Sequence, residues 1–309
     1  MSRVFDALLR ASGEKNQSPA AGNGKEDPSE RGGLNGDGPA GEWRWDGDGQ
    51  FPPQISLPAA AAAPRSWREI LEELFFGWDL KRYKSYPIVV LERESPAAEQ
   101  YKILREQIKR LRAETGARTI SITSPVKQDG KTTVAVNLAA AIALEYEEQV
   151  LLIDADLRSP QVHRYFNVER GPGLADYLSS SASDDLSRYV KDSFLPGLKL
   201  LCAGQRSELS PELLAKLKMR DLLEQIRLRF PDHQIIVDTP PVLSTPDPLI
   251  VSREVDGIIM VVRARRTPKD YLAKSIQTLN STKLMGIVLN DVSLGMGSRY
   301  YYYYSRSSE

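Results

Sequence analysis

The sequence predicts an α/β fold: a doubly wound, mostly parallel sheet, set between an N-terminal arm and a C-terminal tail that belong to neither layer of helices. Three observations carry this. From Pro87 onward six short apolar runs alternate with helical or loop segments: Thr119 to Ile122, Val150 to Ile153, Leu198 to Leu201, Ile235 to Val237, Ile258 to Val262 and Ile287 to Leu289. The runs are dominated by Ile, Val and Leu instead of alternating with charged residues, as strands covered by helices on both faces require. A Gly-Lys-Thr triplet, residues 130–132, follows the first run closely, and in open sheets of this kind ligands meet the carboxyl ends of the strands.

The elements follow in order. The 309 residues leave room for two domains or for one large domain with extensions. Residues 12 to 64 are rich in Gly, Pro, Ala, Asp and Glu, and ten of the 21 glycines fall in the first 50 positions. Such a stretch cannot bury enough apolar surface to offset the entropy of ordering, so residues 1–64 are expected to be a largely disordered arm. Inside it Ser2 to Arg10, with Val4, Phe5, Leu8 and Leu9 on one side, reads as a short docking helix. Residues 65–84 read as an amphipathic helix segment: Ser66 and Glu69 form a capping box, and Ile70, Leu71, Leu74 and Phe75 form its apolar face. That face suits either packing on the main domain or docking a partner; the four tryptophans between 43 and 78 do not decide between them. The main domain is expected over 85–292. Ile88 to Leu91 reads as an edge strand. Ser95 is an N-cap and Pro96 a first-turn proline, opening a helix that runs to about Thr115 before Gly116. Residues 293–309 are the flexible tail, with five of the 13 tyrosines massed at Tyr300, Tyr301, Tyr302, Tyr303 and Tyr304.

Charge excludes some functions. The 41 basic and 41 acidic residues cancel, so binding nucleic acid by bulk charge is not expected. The balance is uneven along the chain, with six bases against nine acids up to Pro64. A single cysteine, Cys202, rules out an internal disulfide and fits a reducing compartment. The longest uncharged apolar run, Leu138 to Leu144, falls far short of the roughly 20 residues needed to cross a bilayer. Met1 to Ala11 lack a signal-peptide pattern, so the chain is expected to be cytoplasmic. His163 and His233 are not spaced as metal ligands, and Arg263, Arg265 and Arg266 read as a solvated edge.

The motifs carry the chemistry. Ser124-Pro125-Val126-Lys127-Gln128-Asp129-Gly130-Lys131-Thr132-Thr133 links a strand to a helix that begins near Lys131. In a phosphate-binding loop (P-loop) the backbone amides and the helix N-terminus supply partial positive charge, the lysine neutralises the terminal phosphates, and the next hydroxyl binds Mg²⁺. Pro125 stands where that template has its first glycine. Past the second run, Asp154, Asp156 and Arg158 place two carboxylates and a guanidinium at the sheet edge, and alternation points both carboxylates to the same side. Asp238 ends the run Ile235 to Val237 and is followed by Thr239, Pro240 and Pro241. Three carboxylates beside a phosphate loop suit magnesium coordination and proton acceptance.

In these motifs the chain resembles the bacterial tyrosine kinases (BY-kinases) of capsule and exopolysaccharide synthesis. The resemblance covers roughly residues 85 to 309 and rests on the P-loop, on DxDxR (Asp154, Asp156, Arg158), on DxxP (Asp238, Pro241) and on the terminal tyrosine cluster after Arg299. It implies ATP-dependent autophosphorylation of that cluster, a ring of subunits, a tyrosine phosphatase as antagonist, and activation by a membrane polysaccharide co-polymerase that sets chain length. No segment of that activator is seen in this chain, so a separate membrane protein would recruit it to the inner face of the membrane. Family members carry ExxRxxR for ring contacts, whereas Glu99, Lys102 and Arg105 stand here; lysine keeps the charge without the planar fork.

The expected roles are these. Lys131 and the loop amides stabilise the transferring phosphoryl group. Thr132 binds Mg²⁺ directly, Asp156 and Asp238 hold the ion or its waters, and Asp154 accepts the tyrosine proton. Arg158 braces the carboxylates or contacts phosphate. Lys127, Gln128, Asp129, Gly130 and Thr133 complete the ATP-binding loop, and Asn290 reads adenine or forms a turn. The eight residue steps from Val292 to Tyr300 reach at most about 28 Å, a tether suited to a neighbouring active site. Two other readings share the nucleotide motifs. The partitioning and septum-positioning switch ATPases need a signature lysine five residues before the P-loop lysine, whereas Lys127 is four before Lys131, and they lack a tyrosine tail. The other is a catalytically idle, ATP-gated scaffold.

Overall fold

The computed structural model describes residues 87–292 apart from 146–147, 181–184, 208–209, 215–216 and 280–282. The expected arm, the docking helix Ser2 to Arg10, the segment 65–84 and the tyrosines 300–304 lie outside the described residues. In chain order the elements are α1 (Ile88–Leu91), α2 (Pro96–Thr115), β1 (Thr119–Thr123), α3 (Lys131–Ala143), β2 (Val150–Asp154), α4 (Val162–Tyr165) and α5 (Leu174–Ser179). A 3₁₀ turn (Leu186–Arg188) leads to β3 (Lys191–Asp192), β4 (Leu198–Leu201), α6 (Ser210–Leu214), α7 (Leu217–Arg229) and β5 (Gln234–Asp238). The domain closes with α8 (Asp247–Glu254), β6 (Gly257–Arg263), α9 (Lys269–Leu279) and β7 (Leu284–Asn290).

The seven strands form one sheet in the order β3-β4-β2-β5-β1-β6-β7. Every pairing is parallel except that of β3 with β4. Both faces are covered, so successive residues of one strand enter opposite cores. On β2, Val150 and Leu152 join the cluster under α1, α2 and α3, while Leu151 and Ile153 join the one against α5, α7 and α8. This is the burial that predicted apolar rather than alternating runs. From Val134 to Ala143 α3 is apolar but for Asn137 and buried throughout, as a helix without a polar face must be.

α2 matches its sequence signals. Ser95 Oγ accepts from the Ala98 N–H at 3.1 Å, Pro96 stands at the first helical position, and Gly116, at φ 73°, closes the helix in the left-handed region. One expectation fails: Ile88 to Leu91 is a single helical turn, not an edge strand. Val89 and Val90 are buried against the α3 side of the core, and the Val89 N–H donates to Asn137 Oδ1 on α3 at 3.3 Å. Four apolar residues have no readable period; here a helix supplies the polar partner that a neighbouring strand would otherwise have supplied. β3, only two residues long, had no sequence signal.

Cys202 is buried, and burial pushes its thiol up to about 12, so it acts as a small core residue. Among the described residues no His, Cys, Asp or Glu cluster forms a metal cage, and no helix is long and apolar enough to cross a membrane.

Candidate active site

The tips of three adjacent strands build the site. In the sheet β2 lies beside β5, and β5 beside β1. Register sets Asp154, the last residue of β2, opposite Asp238, the last of β5, and Asp238 opposite Ile122 of β1. The carboxylates therefore reach the same height as the loop between β1 and α3.

That loop is held from outside. Gly130 caps α3 at φ 93°, and a Cβ there would lie 2.0 Å from Asn290 Nδ2. Asn290, at the end of β7, donates from Nδ2 to the Asp129 carbonyl at 3.0 Å. Its amide is thus committed to bracing the loop. The buried Asp129 carboxylate accepts from Thr267 Oγ1 at 2.7 Å and from the Val126 N–H at 3.2 Å. Burial outweighs these bonds and holds Asp129 above the usual carboxylate range. Gln128 adopts φ 68°; its Oε1 accepts from Arg266 at 2.9 Å, and its carbonyl faces Arg263 Nη1 at 3.5 Å. Lys127 is exposed. The carbonyl of Pro125 accepts from the Leu243 N–H at 3.2 Å and that of Ser124 from the Val242 N–H at 2.8 Å, so the proline position is tied to the segment after β5. Thr133 faces the α3 side of the core, its hydroxyl 3.0 Å from that of Tyr165.

Beyond the loop the charges converge. Lys131 Nζ donates to Asp156 Oδ2 at 2.8 Å and to Thr132 Oγ1 at 3.1 Å, and lies 3.8 Å from Asp238 Oδ1. Thr132 Oγ1 donates to Asp238 Oδ2 at 2.7 Å. Asp154 is fully buried and accepts three backbone N–H bonds: Gln161 and Val162 on Oδ2, and Asp156 on Oδ1. Burial first, then the Asp238 and Asp156 charges, lift Asp154 to about 8. Burial likewise lifts Asp238, to about 6, against the pull of Lys131. Burial would lower Lys131, but Asp238 and Asp156 outweigh it and hold the ammonium above its ordinary value. Arg158 points at Asp247 of α8, Nε to Oδ2 3.8 Å.

A magnesium nucleotide fits this donor set. Asp238 Oδ1 is buried and has no hydrogen-bond partner, with the Thr132 hydroxyl on the sister oxygen. Mg²⁺ keeps several waters and takes only one or two carboxylates beside phosphate oxygens, so a ready cage of three carboxylates is not needed. Lys131 occupies the head of α3, where amides and helix dipole favour a polyanion.

The profile of the CobQ/CobB/MinD/ParA nucleotide-binding domain matches residues 120–302. A tyrosine-protein kinase of Bacillus subtilis, YwqD, is 33% identical over 218 residues, covering 70% of this chain and 90% of that protein. The chain belongs to the bacterial tyrosine-protein kinases. The tyrosine-protein kinase ptk of Acinetobacter johnsonii is 31% identical over 79% of this chain, which spans only 32% of that relative's length. The kinase domain of the Escherichia coli tyrosine kinase ETK superposes with a TM-score of 0.63 at 30% identity, covering 68% of this chain and 82% of that one.

The structure brings together Lys131, Thr132, Asp154, Asp156 and Asp238, and directs Arg158 to Asp247. It leaves Lys127 at the surface. The candidate ring residues lie apart, on α2: Lys102 pairs with Glu99 at 2.5 Å, and Arg105 pairs within the chain with Glu106 at 2.7 Å and Glu145 at 2.9 Å. Sequence reasoning missed Thr267, Arg263 and Arg266, which clasp the loop between β1 and α3, and Asp247, which meets Arg158. Arg263 and Arg266 read as a solvated edge because nothing local ties them to Gln128, 135 and 138 positions away.

Proposed function

We propose that this kinase transfers the γ-phosphoryl group of Mg·ATP to the hydroxyls of Tyr300 to Tyr304 in the tail of a neighbouring copy. The observation that carries the reading is the Lys131 ammonium at the head of α3, within 2.8 Å of Asp156 and 3.8 Å of Asp238. A lysine so placed exchanges carboxylates for phosphate oxygens and meets the charge that develops on them. Bound magnesium would neutralise phosphate charge and orient the γ-group, held by Thr132 and Asp238 with Asp156 reaching its waters. The loop from Lys127 to Gly130 wraps the phosphates, and Asn290 and Thr267 fix its shape through Asp129. As the phenolic oxygen bonds to phosphorus and the bond to the ADP oxygen breaks, Asp154 takes the phenol proton. Its raised proton affinity suits that role, and the three backbone bonds fix its orientation. Arg158, whose Nε lies 3.8 Å from Asp247 Oδ2, braces the carboxylates or contacts phosphate.

Under this reading a separate membrane co-polymerase activates the kinase and recruits it to the cytoplasmic face of the membrane, a tyrosine phosphatase reverses the modification, and the cycle regulates polymerisation and export of an exopolysaccharide or capsule. Glu99, Lys102 and Arg105 supply the ring contact once Arg105 leaves Glu145. Incubation with Mg·ATP followed by phosphotyrosine blotting tests the reaction. Signal is expected from the native chain and none from Lys131→Met or from a tail with all five tyrosines changed to Phe. Phosphate release without phosphotyrosine marks a switch ATPase instead, and neither product marks a scaffold. An intact Lys131→Met tail that stays unlabelled beside an active, tail-less chain rules out transfer in trans.

A further inference from the structure

The carboxyl edge carries a second group of charges that the transfer chemistry does not use. The N–H groups of Gln161 and Val162 hold Asp154, and the next residue, His163, lines a cleft with Pro160, Arg170, Gly171 and Gly204. Arg170 Nε donates to His163 Nε2 at 3.3 Å, so the imidazole is a neutral acceptor. Burial, then the neighbouring Arg170, Arg164 and Lys191 charges, push His163 down to about 4. Lys191 Nζ donates to the Glu169 carbonyl at 3.0 Å and crowds Gly171, where a Cβ would come within 2.9 Å of it. Among the described residues neither Arg170 nor Lys191 has a carboxylate partner. Two of the nearby acids are spent elsewhere: Asp176 accepts from the N–H groups of Gly173 and Gln205, and Asp192 pairs with Lys199 at 2.5 Å. Among the described residues a guanidinium bonded to a neutral imidazole and an ammonium bonded to a carbonyl have no bonded carboxylate, which suits them to an anion.

We propose that Arg170 and Lys191 bind a phosphate monoester dianion, namely a tyrosine of the tail that has already been phosphorylated. This rests on the tail-phosphorylation reading. The five successive tyrosines make the fit: transfer to one leaves an aryl phosphate beside an unmodified neighbour. In an extended chain side chains two positions apart share a face about 7 Å apart, and His163 follows directly on the residue whose N–H fixes Asp154. A tail advanced by two residues carries its phosphate from the reaction centre onto the cluster, where a guanidinium can grip it with two parallel bonds. The cluster thereby retains a partly modified tail for further transfer.

The test is a titration of labelled peptides spanning residues 297–309, with and without a phosphate on Tyr302, against the full chain whose own five tail tyrosines are Phe. The phosphopeptide is expected to bind at least tenfold tighter than its twin, and to lose that advantage in Arg170→Gln/Lys191→Gln. In ATP-treated protein the same pair of substitutions should lower the ratio of multiply to singly phosphorylated chains at least threefold by intact mass. Equal affinity of the two peptides for the parent chain overturns the proposal, as does an advantage that survives the double substitution. Inorganic phosphate displacing the phosphopeptide mole for mole overturns the tail assignment in favour of a free-phosphate site. The peptide comparison in the parent chain decides even when the variant does not fold. Absence of tail phosphorylation in the native protein sinks the kinase reading; tail phosphorylation without peptide discrimination sinks only this site.

Discussion

The two ends of α3 hold the same kinds of charge in opposite surroundings. At its head one lysine faces three carboxylates, and the side chains of Lys131, Asp156 and Asp238 are 12%, 8% and 1% exposed. Past its tail Arg105 and Lys109 face Glu145 and Glu148, matched in number and 18% to 37% exposed. At the head, burial and mutual repulsion lift Asp154 and Asp238. At the tail, the hydrogen bond to Glu145 raises Lys109, a pair at ease in its charged form. Matched charges near water tie α2 to α3 at little cost. Mismatched buried charges destabilise a fold, and carboxylates so strongly perturbed cluster at functional sites.

The strongest way to break this contrast is Lys131→Met. At the head it removes the ammonium bonded to Asp156 and close to Asp238, so phosphotyrosine formation is expected to fall by 10³ or more. Stability should also drop, by about 3–5 kcal/mol near neutral pH, because a broken buried pair leaves uncompensated charge. Urea unfolding measures it; a loss under about 1 kcal/mol would mean the head is as relaxed as the tail. Gly130→Ala comes next. Its Cβ meets Asn290 at 2.0 Å on a backbone at φ 93°, so about 1–3 kcal/mol of strain is expected, together with weaker nucleotide binding. Adding Asn290→Ala relieves the clash and not the backbone strain. A double-mutant cycle by urea unfolding and nucleotide titration should therefore show partial recovery, whereas strict additivity would remove Asn290 from the brace.

Which parts of this were legible follows from the range of the interactions. Ser95, Pro96 and Gly116 fix α2 through bonds within one turn, so its limits could be read directly. The same holds for Gly130 to Thr132, where a strand end, a left-handed glycine and a helix start are contiguous. Asp154 and Asp238 could be placed at one edge because the expected strands end on them. α1 could not be read, since Ile88 to Leu91 owes its turn to packing on α3 and to Asn137, 48 residues from Val89. Thr267 reaches Asp129 across 138 positions, and no local pattern announces such a clasp. Asp247 is one acid in the first turn of α8, and no sequence pattern singles it out. Its burial and its approach to Arg158 exist only after the sheet forms.

A pH series separates the two ends more finely. A carboxylate whose affinity for protons is raised in the folded state binds more protons there than when unfolded, so its contribution falls as pH rises between the two values. For Asp154 that window runs from about 4 to about 8. His163, pushed down to about 4, opposes the trend only up to its ordinary value near 6.5. Between pH 6.5 and 8 both its states are neutral, and Asp154 stands out. Stability there should decline by up to about 1.4 kcal/mol per pH unit, and Asp154→Asn should flatten the slope. An unchanged slope in the variant would assign the titration to another group.

The smallest effect belongs to the tail of α3. Lys109→Ala removes one partly exposed cation from Glu145 and Glu148 while Arg105 still holds Glu145 at 2.9 Å. About 0.3–1 kcal/mol is expected, fading in 1 M salt where charges are screened beyond about 3 Å. Arg105→Ala should cost more, because Arg105 is the less exposed cation and also donates to the Ala141 carbonyl at 3.3 Å. Its loss leaves the last turn of α3 without that side-chain donor, and little of the effect should respond to salt. Should the two substitutions prove equal in size and equally salt-sensitive, the tail would be held by Coulomb attraction alone, and the helix would be pinned only at its reactive end.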